Sequence, residues 1–475
     1  MGRLRFVILG YFLLWCASDA PALRRAWWHL DDFCQDFSAT GVAHNLGLGR
    51  PGQFLVVATF ALEDKGRHPA ANIALRLAQG GLHAWAAALL AAVLYEKTRR
   101  RATLLAGLPF LLCPLATEAT LWRSALSYPM SATLSLLGLR VLARRRVLGT
   151  GAIVAAMLTQ PLAAFAAAGA WCLSAVFVSR DPPDPAAASR LRKEAVALAM
   201  AYGAGAAAAL AVAATQDAPW RSRLDLSPDP VERLRVLAQA NATFLGGSFL
   251  ESWPALGRLH ELFPLLALAP VTLASLRGRA SARAWRATAM LGALLVIPYV
   301  PVLPVGETPL SDRLFYLAPL LHCGAWALAD HAWRDTRVLR RLAAAVFATL
   351  VVGYGAITWT IAPGFDEVYR ADLRRLREWE AGARASGADS LFVCARGSTL
   401  NPNPYGIDFR GGPPRLSAFL TRWSSEGVLE WQGTLPVTKD HDLRGECCDR
   451  CVQADSRSLH ALRLADGPAY CGCAP

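Results

Sequence analysis

KTRRRATLLAGLPFLLCPLATEATLWRSALSYPMSATLSLLGLRVLARRR, residues 97–146, holds two apolar runs set between three gaps of unequal charge. The outer two gaps carry Lys97, Arg99, Arg100 and Arg101 on one side and Arg140, Arg144, Arg145 and Arg146 on the other; the middle gap carries Glu118 and Arg123. Short loops on the cytoplasmic side of a membrane hold the excess of Lys and Arg, so the stretch reads as two crossings whose basic ends lie inside.

The same alternation continues in both directions. Basic gaps recur at Arg180 to Lys193, Arg277 to Arg286 and Arg334 to Arg341, and the short gaps that alternate with the basic ones hold at most one basic residue, as at Gln160 and at Asp312-Arg313, while 23–75 and 215–259 are long loops on the outer side. A bilayer core takes about 20 apolar residues per helix. On that measure the chain reads as an all-α polytopic membrane protein of about eleven transmembrane helices, at roughly 5–22, 76–95, 102–117, 126–142, 148–160, 162–179, 194–214, 260–276, 287–304, 314–333 and 342–362. The fifth and sixth are separated only by Thr159-Gln160-Pro161, and one long broken helix is the alternative. Met1 to Ala22 has the outline of a signal peptide, but the later alternation needs an uncleaved first span that starts in the cytoplasm.

Composition agrees. Of 475 residues 54% are hydrophobic, and the mean hydropathy is +0.29. The net charge of +13 raises nucleic acid as a partner. The basic residues stand in the gaps, where orientation requires them, so no nucleic acid is expected. Phosphate-loop, HExxH and GxSxG motifs are absent from the sequence.

Two segments outside the membrane stand apart. The loop 23–75 contains WWHLDDF and then GLGRPGQFLVVATFAL at 47–62, an apolar run too short to span, which suits an interfacial or re-entrant helix. The tail 363–475 is polar, with a charged helical stretch and short strand-like runs, and reads as a small α/β cysteine-rich extracytoplasmic domain following a membrane domain at 1–362. It holds Cys394, Cys447, Cys448, Cys451, Cys471 and Cys473. Outside the cytoplasm an even cysteine set implies disulfides, of unspecified pairing. A zinc site from Cys448, Cys451, Cys471 and Cys473 is the rival reading, although its CxC half is atypical. Cys113, Cys172 and Cys323 lie within spans and read as packing residues.

Chemistry points to Asp31 and Asp32. Two acids in a loop are ordinarily just solvated, but these stand beside Trp27, Trp28 and Phe33, directly after the first span, with Gly47 to Gly52 (GLGRPG) about fifteen residues on. A first span, an outer loop beginning W-x-x-D-D-F, a downstream G-R-P and then many spans resembles the GT-C class of polytopic glycosyltransferases, nearest to the Gtr-type glucosyltransferases that decorate O-antigen in lipopolysaccharide. The resemblance covers residues 1–362 and does not extend to the cysteine-rich tail. It implies a bacterial inner-membrane enzyme with a cytoplasmic N-terminus and a periplasmic C-terminus, working in the cell envelope. The donor would be a polyprenyl-phosphate sugar, and the acceptor a surface glycan, a lipid or a protein. Asp31 and Asp32 match the acidic motif that supplies the base or orients the acceptor. In SDRLFYLAPLL, Ser311 to Leu321, Arg313 matches the cation that meets the lipid phosphate. Some members use a divalent metal and others do not, and two adjacent aspartates leave that open.

The remaining substrate-binding candidates are Arg50, Glu118 and Arg123; a headgroup anchor is the bland alternative for Arg50 and a loop carboxylate for Glu118. His83, His322 and His331 lack metal-ligand spacing and read as packing residues. A transporter or flippase of lipid-linked sugars would instead place ionisable residues deep within spans, and a membrane scaffold with a partner-binding tail is a third reading.

Overall fold

In the computed structural model of the chain the described residues are 2–25, 27, 46, 49–62, 68–98, 101–113, 116–178, 185–215, 316–317, 319–320, 323, 337–385, 387, 390–394, 434, 461–464 and 467–473. The expected spans 260–276 and 287–304, and most of 314–333, lie outside them. The helices are α1 (Gly2–Leu23), α2 (Gln53–Ala61), α3 (Pro69–Thr98), α4 (Leu108–Leu112), α5 (Thr117–Leu121), α6 (Ser127–Leu142), α7 (Arg146–Thr159), α8 (Pro161–Ala164), α9 (Ala166–Val178), α10 (Pro185–Ala214) and α11 (Arg337–Ala385), with 3-10 turns at Arg101–Leu105 and Arg123–Ala125. Among the described residues four stretches are long and apolar enough to cross a membrane: Arg5–Leu23, Pro69–Lys97, Arg123–Leu142 and Ser189–Ala214.

α3 is the central helix. Its run Ala84 to Leu94, rich in alanine, is almost wholly buried, and small side chains let neighbouring backbones come close. Gly80 shows how close: a Cβ there would lie 2.0 Å from Trp15 Cη2, so the indole of α1 lies flat against the α3 backbone.

The ends of the bundle differ in chemistry. At one end α3, α6 and α10 bring their basic residues together, with Lys97 Nζ 2.8 Å from Glu194 Oε1 and Arg140 Nη2 2.7 Å from Glu96 Oε1. At the opposite end, here the far end, Gly52 N–H donates to Leu158 O at 3.1 Å and Gln53 Nε2 to Ser124 O at 3.2 Å. Within the apolar run at 47–62 the described residues form the nine-residue α2, docked on the 3-10 turn at 123–125 and on the end of α7.

The expected span 102–117 takes another form. It is a chain of short pieces, a 3-10 turn, α4 and the start of α5, rather than one helix. Gly107 precedes α4 and Pro109 lies in its first turn, and neither residue supports a continuing helix. The pieces still pass along α3 from the basic end to the far end. Leu111 O meets His83, Ala119 O meets Gln79 and Leu121 O meets Arg76, three points spaced by single turns of α3. The spans expected at 148–160 and 162–179 are separated at Gln160, whose φ of −153° is extended. The gap is spanned by polar groups. Ser131 Oγ lies 2.8 Å from both Ala156 O and Gln160 O, and Tyr202 Oη donates to Ala164 O at 2.8 Å.

α11 is 49 residues long, or about 74 Å at 1.5 Å per residue, against a bilayer core of about 30 Å. It runs through Pro363 without a break, so the change from apolar to charged sequence falls inside a helix. Beyond it three strands pair in the order β1 (Ser390–Cys394), β3 (Gly467–Cys473), β2 (Ala461–Leu464), the first pair parallel and the second antiparallel. In the parallel pair Cys394 registers with Cys473.

Candidate functional site

The far end of the bundle is built around Trp27, just past the end of α1. Its indole Nε1 donates to Ala22 O at 2.9 Å, which turns the chain back over the end of α1. The Arg76 guanidinium lies 3.5 Å from the centre of the indole, and the Phe365 ring of α11 stacks on it at 5.1 Å. Arg76 Nη2 donates to Trp27 O, and Asn72 Nδ2 donates to the same oxygen at 3.3 Å. Four elements meet here, from α1, α3, α5 and α11.

Arg76, Asn72 and Gln79 are fully buried on one face of α3. Arg76 Nε donates to Leu121 O at 3.2 Å, and Gln79 Nε2 donates to both Ala119 O and Trp122 O at 2.8 Å. Arg76 and Gln79 thus bond backbone carbonyls of the broken segment; non-helical backbone is tolerated at membrane depth only where protein or water completes it. One helical turn deeper, His83 has Nδ1 2.8 Å from Tyr316 Oη and Nε2 3.1 Å from Leu111 O.

Arg123 is fully buried as well. Its Nη2 donates to Thr59 Oγ1 at 2.6 Å, and its guanidinium lies 4.8 Å from the centre of the Phe60 ring, so it fastens α2 to the bundle. Arg50 is half-buried on the turn that leads into α2. Gly49 before it has φ +64°, and a Cβ there would stand 2.6 Å from Ala209 O. Only glycine meets both demands at once. Arg50 and Arg123 thus flank α2 at the far end. Glu118 falls within α5.

Asp31, Asp32 and Arg313 lie outside the described residues, as do Cys447, Cys448 and Cys451. Cys394, Cys471 and Cys473 fall on strands. Cys113, Cys172 and Cys323 are buried, as packing residues are. Among the described residues no group of three or more His, Cys, Asp or Glu is arranged to hold a metal ion.

Several polar residues of this end were not singled out from sequence. Asp19 is buried in α1, with the Ser18 hydroxyl 2.7 Å from its Oδ2 and its Oδ1 without a partner among the described residues. The signal was available, since an acid inside an apolar span is costly and marks either a site or a structural partner. Arg76, Asn72 and Gln79 carried a weaker form of it at the start of the second span. On α11, burial pushes the Tyr369 hydroxyl above the usual phenol range, against the lowering pull of Arg377 and Arg76. No protein-family model matches this chain, and neither a curated protein nor a solved structure is similar to it.

Proposed function

We propose that this chain is a membrane glycosyltransferase that moves a sugar from a polyprenyl phosphate to a glycan, lipid or protein acceptor at the far end of the bundle. That end is the periplasmic one of an inner membrane, with the N-terminus in the cytoplasm and the disulfide-bearing tail outside. The observation that carries the reading is the anchoring of Trp27 between Arg76 and Phe365, at the same end as Arg50 and Arg123. Asp31 and Asp32 follow Trp27 by four and five residues, a tether of at most about 18 Å.

In this reading one aspartate takes the proton of the acceptor hydroxyl. The oxygen attacks the anomeric carbon, the bond from that carbon to the phosphate oxygen breaks, and the lipid phosphate leaves with the electron pair. Arg313 and Arg50 meet the departing phosphate, for which a guanidinium offers a charged planar fork. Glu118 lines the acceptor side, and Arg123 holds α2 from beneath. Direct displacement inverts the anomeric centre, so a β-linked donor gives an α-linked product.

The test is the surface glycan of cells carrying Asp31→Asn and Asp32→Asn, beside transfer by the purified protein. A general base contributes about 10²–10⁴-fold, and a loss of that size is expected with protein level unchanged. Transfer at the parental rate in both variants, or retention at the anomeric carbon, overturns the reading.

A second reading, passage of lipid-linked sugars across the membrane, draws on Asp19, Arg76 and His83, which are ionisable groups buried within crossing helices. Arg76 and His83 bond to backbone carbonyls of the broken segment, as structural partners do. Export of the lipid-linked sugar that survives both aspartate changes and fails in Asp19→Asn would favour that reading.

A further inference from the structure

A cleft of about 390 Å³ opens where the last turn of α1 meets the middle of α11, with Arg24 and Arg25 on one wall and Asp366 and Glu367 on the other. Charges of both signs in a narrow cleft ordinarily pair with each other. Here Asp366 Oδ1 is taken by Arg370 Nε at 2.9 Å, along its own helix. Arg24, Arg25 and Glu367 have no ion-pair partner among the described residues, and all three are exposed. The cleft is therefore lined by two cations and a carboxylate that are not neutralised by one another.

The rest of the lining adds acceptors and an apolar floor. Pro21 lies in α1 and Pro363 in α11, and both line the cleft. A proline within a helix has no N–H for the carbonyl four residues back, so Ala17 O and Trp359 O lack that helical donor. Trp359 also lines the cleft and is 46% exposed, a position that suits the headgroup zone. Below it Val352 continues the same stripe of α11 and is exposed, as is Leu14 on the matching stripe of α1. The cleft thus offers two guanidinium groups for an anion, a carboxylate for a cation that donates hydrogen bonds, and an apolar path downward.

We infer that the cleft between α1 and α11 binds a glycerophospholipid with an ethanolamine headgroup, its phosphate on Arg24 and Arg25 and its ammonium on Glu367. An anionic lipid such as phosphatidylglycerol would meet the carboxylate wall unfavourably. A choline headgroup would bring charge without N–H donors. The cleft volume falls within the range of about 300–1,000 Å³ usual for small-ligand sites. The inference does not depend on sugar transfer, because its test reads bound lipid and not activity.

The experiment is native mass spectrometry of the full chain in detergent micelles doped with dioleoyl phosphatidylethanolamine, phosphatidylglycerol or phosphatidylcholine. Phosphatidylethanolamine is expected to be retained over the other two. Arg24→Gln and Arg25→Gln should each weaken it about fivefold, the effect of one cation near a lipid surface. Glu367→Gln, at an exposed position, should leave the protein folded and remove the preference over phosphatidylglycerol. Equal retention of all three lipids, retention of phosphatidylglycerol over phosphatidylethanolamine, or a preference unchanged in Glu367→Gln would overturn the assignment. So would displacement of phosphatidylethanolamine, one for one, by a polyprenyl phosphate, which would make the cleft part of the donor site.

Discussion

α10 and the segment 101–125 both carry the chain from the basic end to the far end, and they do so by opposite means. α10 is a single helix of 30 residues whose interior carbonyls meet their own amides, and Val196, Met200 and Leu210 face outward from it. The segment 101–125 is a series of short turns, and its carbonyls are completed from elsewhere. Tyr11 bonds Leu104 O, His83 bonds Leu111 O, Thr358 bonds Leu112 O, Gln79 bonds Ala119 O and Trp122 O, and Arg76 bonds Leu121 O. An apolar solvent enforces the same accounting on both routes. The helix satisfies it internally and can face lipid, whereas the broken segment satisfies it with donors borrowed from α1, α3 and α11 and must be buried. A polar residue inside an apolar span is therefore as much a sign of a broken neighbour as of a reaction site.

The largest expected effect comes from removing one of those donors. Arg76→Met keeps the length of the side chain but leaves Leu121 O open and takes one of two donors from Trp27 O. At about 1–3 kcal/mol for each buried group left unsatisfied, and with the contact to the Trp27 ring lost, a fall of about 3 kcal/mol is expected. Met200→Ala on α10 trims an exposed side chain and should stay within about 0.5 kcal/mol. Thermal unfolding of both variants in one detergent, followed by size exclusion, makes the comparison. If the two fall alike, the broken segment does not depend on its borrowed donors.

A middle-sized effect tests the same idea without a charge. Thr358 Oγ1 on α11 donates to Leu112 O at 3.0 Å and is buried. Thr358→Val keeps the shape and removes the donor, which should cost about 1 kcal/mol, given that hydrogen bonds between membrane helices average somewhat less. Thr349→Val, where the hydroxyl bonds within its own helix to Ala345 O and is exposed, is the matched control and should change little. A larger loss at Thr349 than at Thr358 would invert the comparison.

The contrast also explains what was legible in the sequence. The basic gaps marked which helix ends share a side, and Glu96–Arg140 and Lys97–Glu194 meet at that end. α6 and α10 follow their apolar runs closely, because a regular span writes its length into the sequence. The apolar run at 102–117 looked the same by hydropathy, yet Gly107 and Pro109 break it. Hydropathy registers which solvent a segment avoids, not whether its backbone is regular. Gln79 and Asn72 are polar residues in an alanine-rich helix, and nothing within α3 states that Asn72 reaches back to Trp27 O beyond α1 while Gln79 reaches forward to Ala119 O and Trp122 O. Arg123 read as a substrate-binding candidate, and its contacts with Thr59 and Phe60 on α2 are long-range and leave no local pattern. The docking of α2 was legible only as a run too short to span.

The smallest effect falls on the part of α11 beyond the bundle, where charges take over from neutral donors. Glu380 accepts from the Thr434 amide and lies 2.8 Å from Arg377 Nη1. Burial opposes its ionisation, but the Thr434 amide and the Arg377 guanidinium outweigh burial and hold the carboxyl below the usual carboxylate range. A carboxyl lowered in the folded state contributes stability that is fully present above its unfolded pKa of about 4.3 and is lost as pH falls through the folded value. The contact with Thr434 should therefore hold at pH 7 and pH 5 and weaken only in stronger acid, which limited proteolysis around residue 434 can follow. Glu380→Gln should expose that site at every pH, whereas Thr358, a neutral donor in the other half of the same helix, should show no pH dependence. The effect is small because Arg377 is 52% exposed and water screens the pair. Protection that persists unchanged below pH 4 in the parent, and in Glu380→Gln at pH 7, would show that α11 holds this segment by something other than charge.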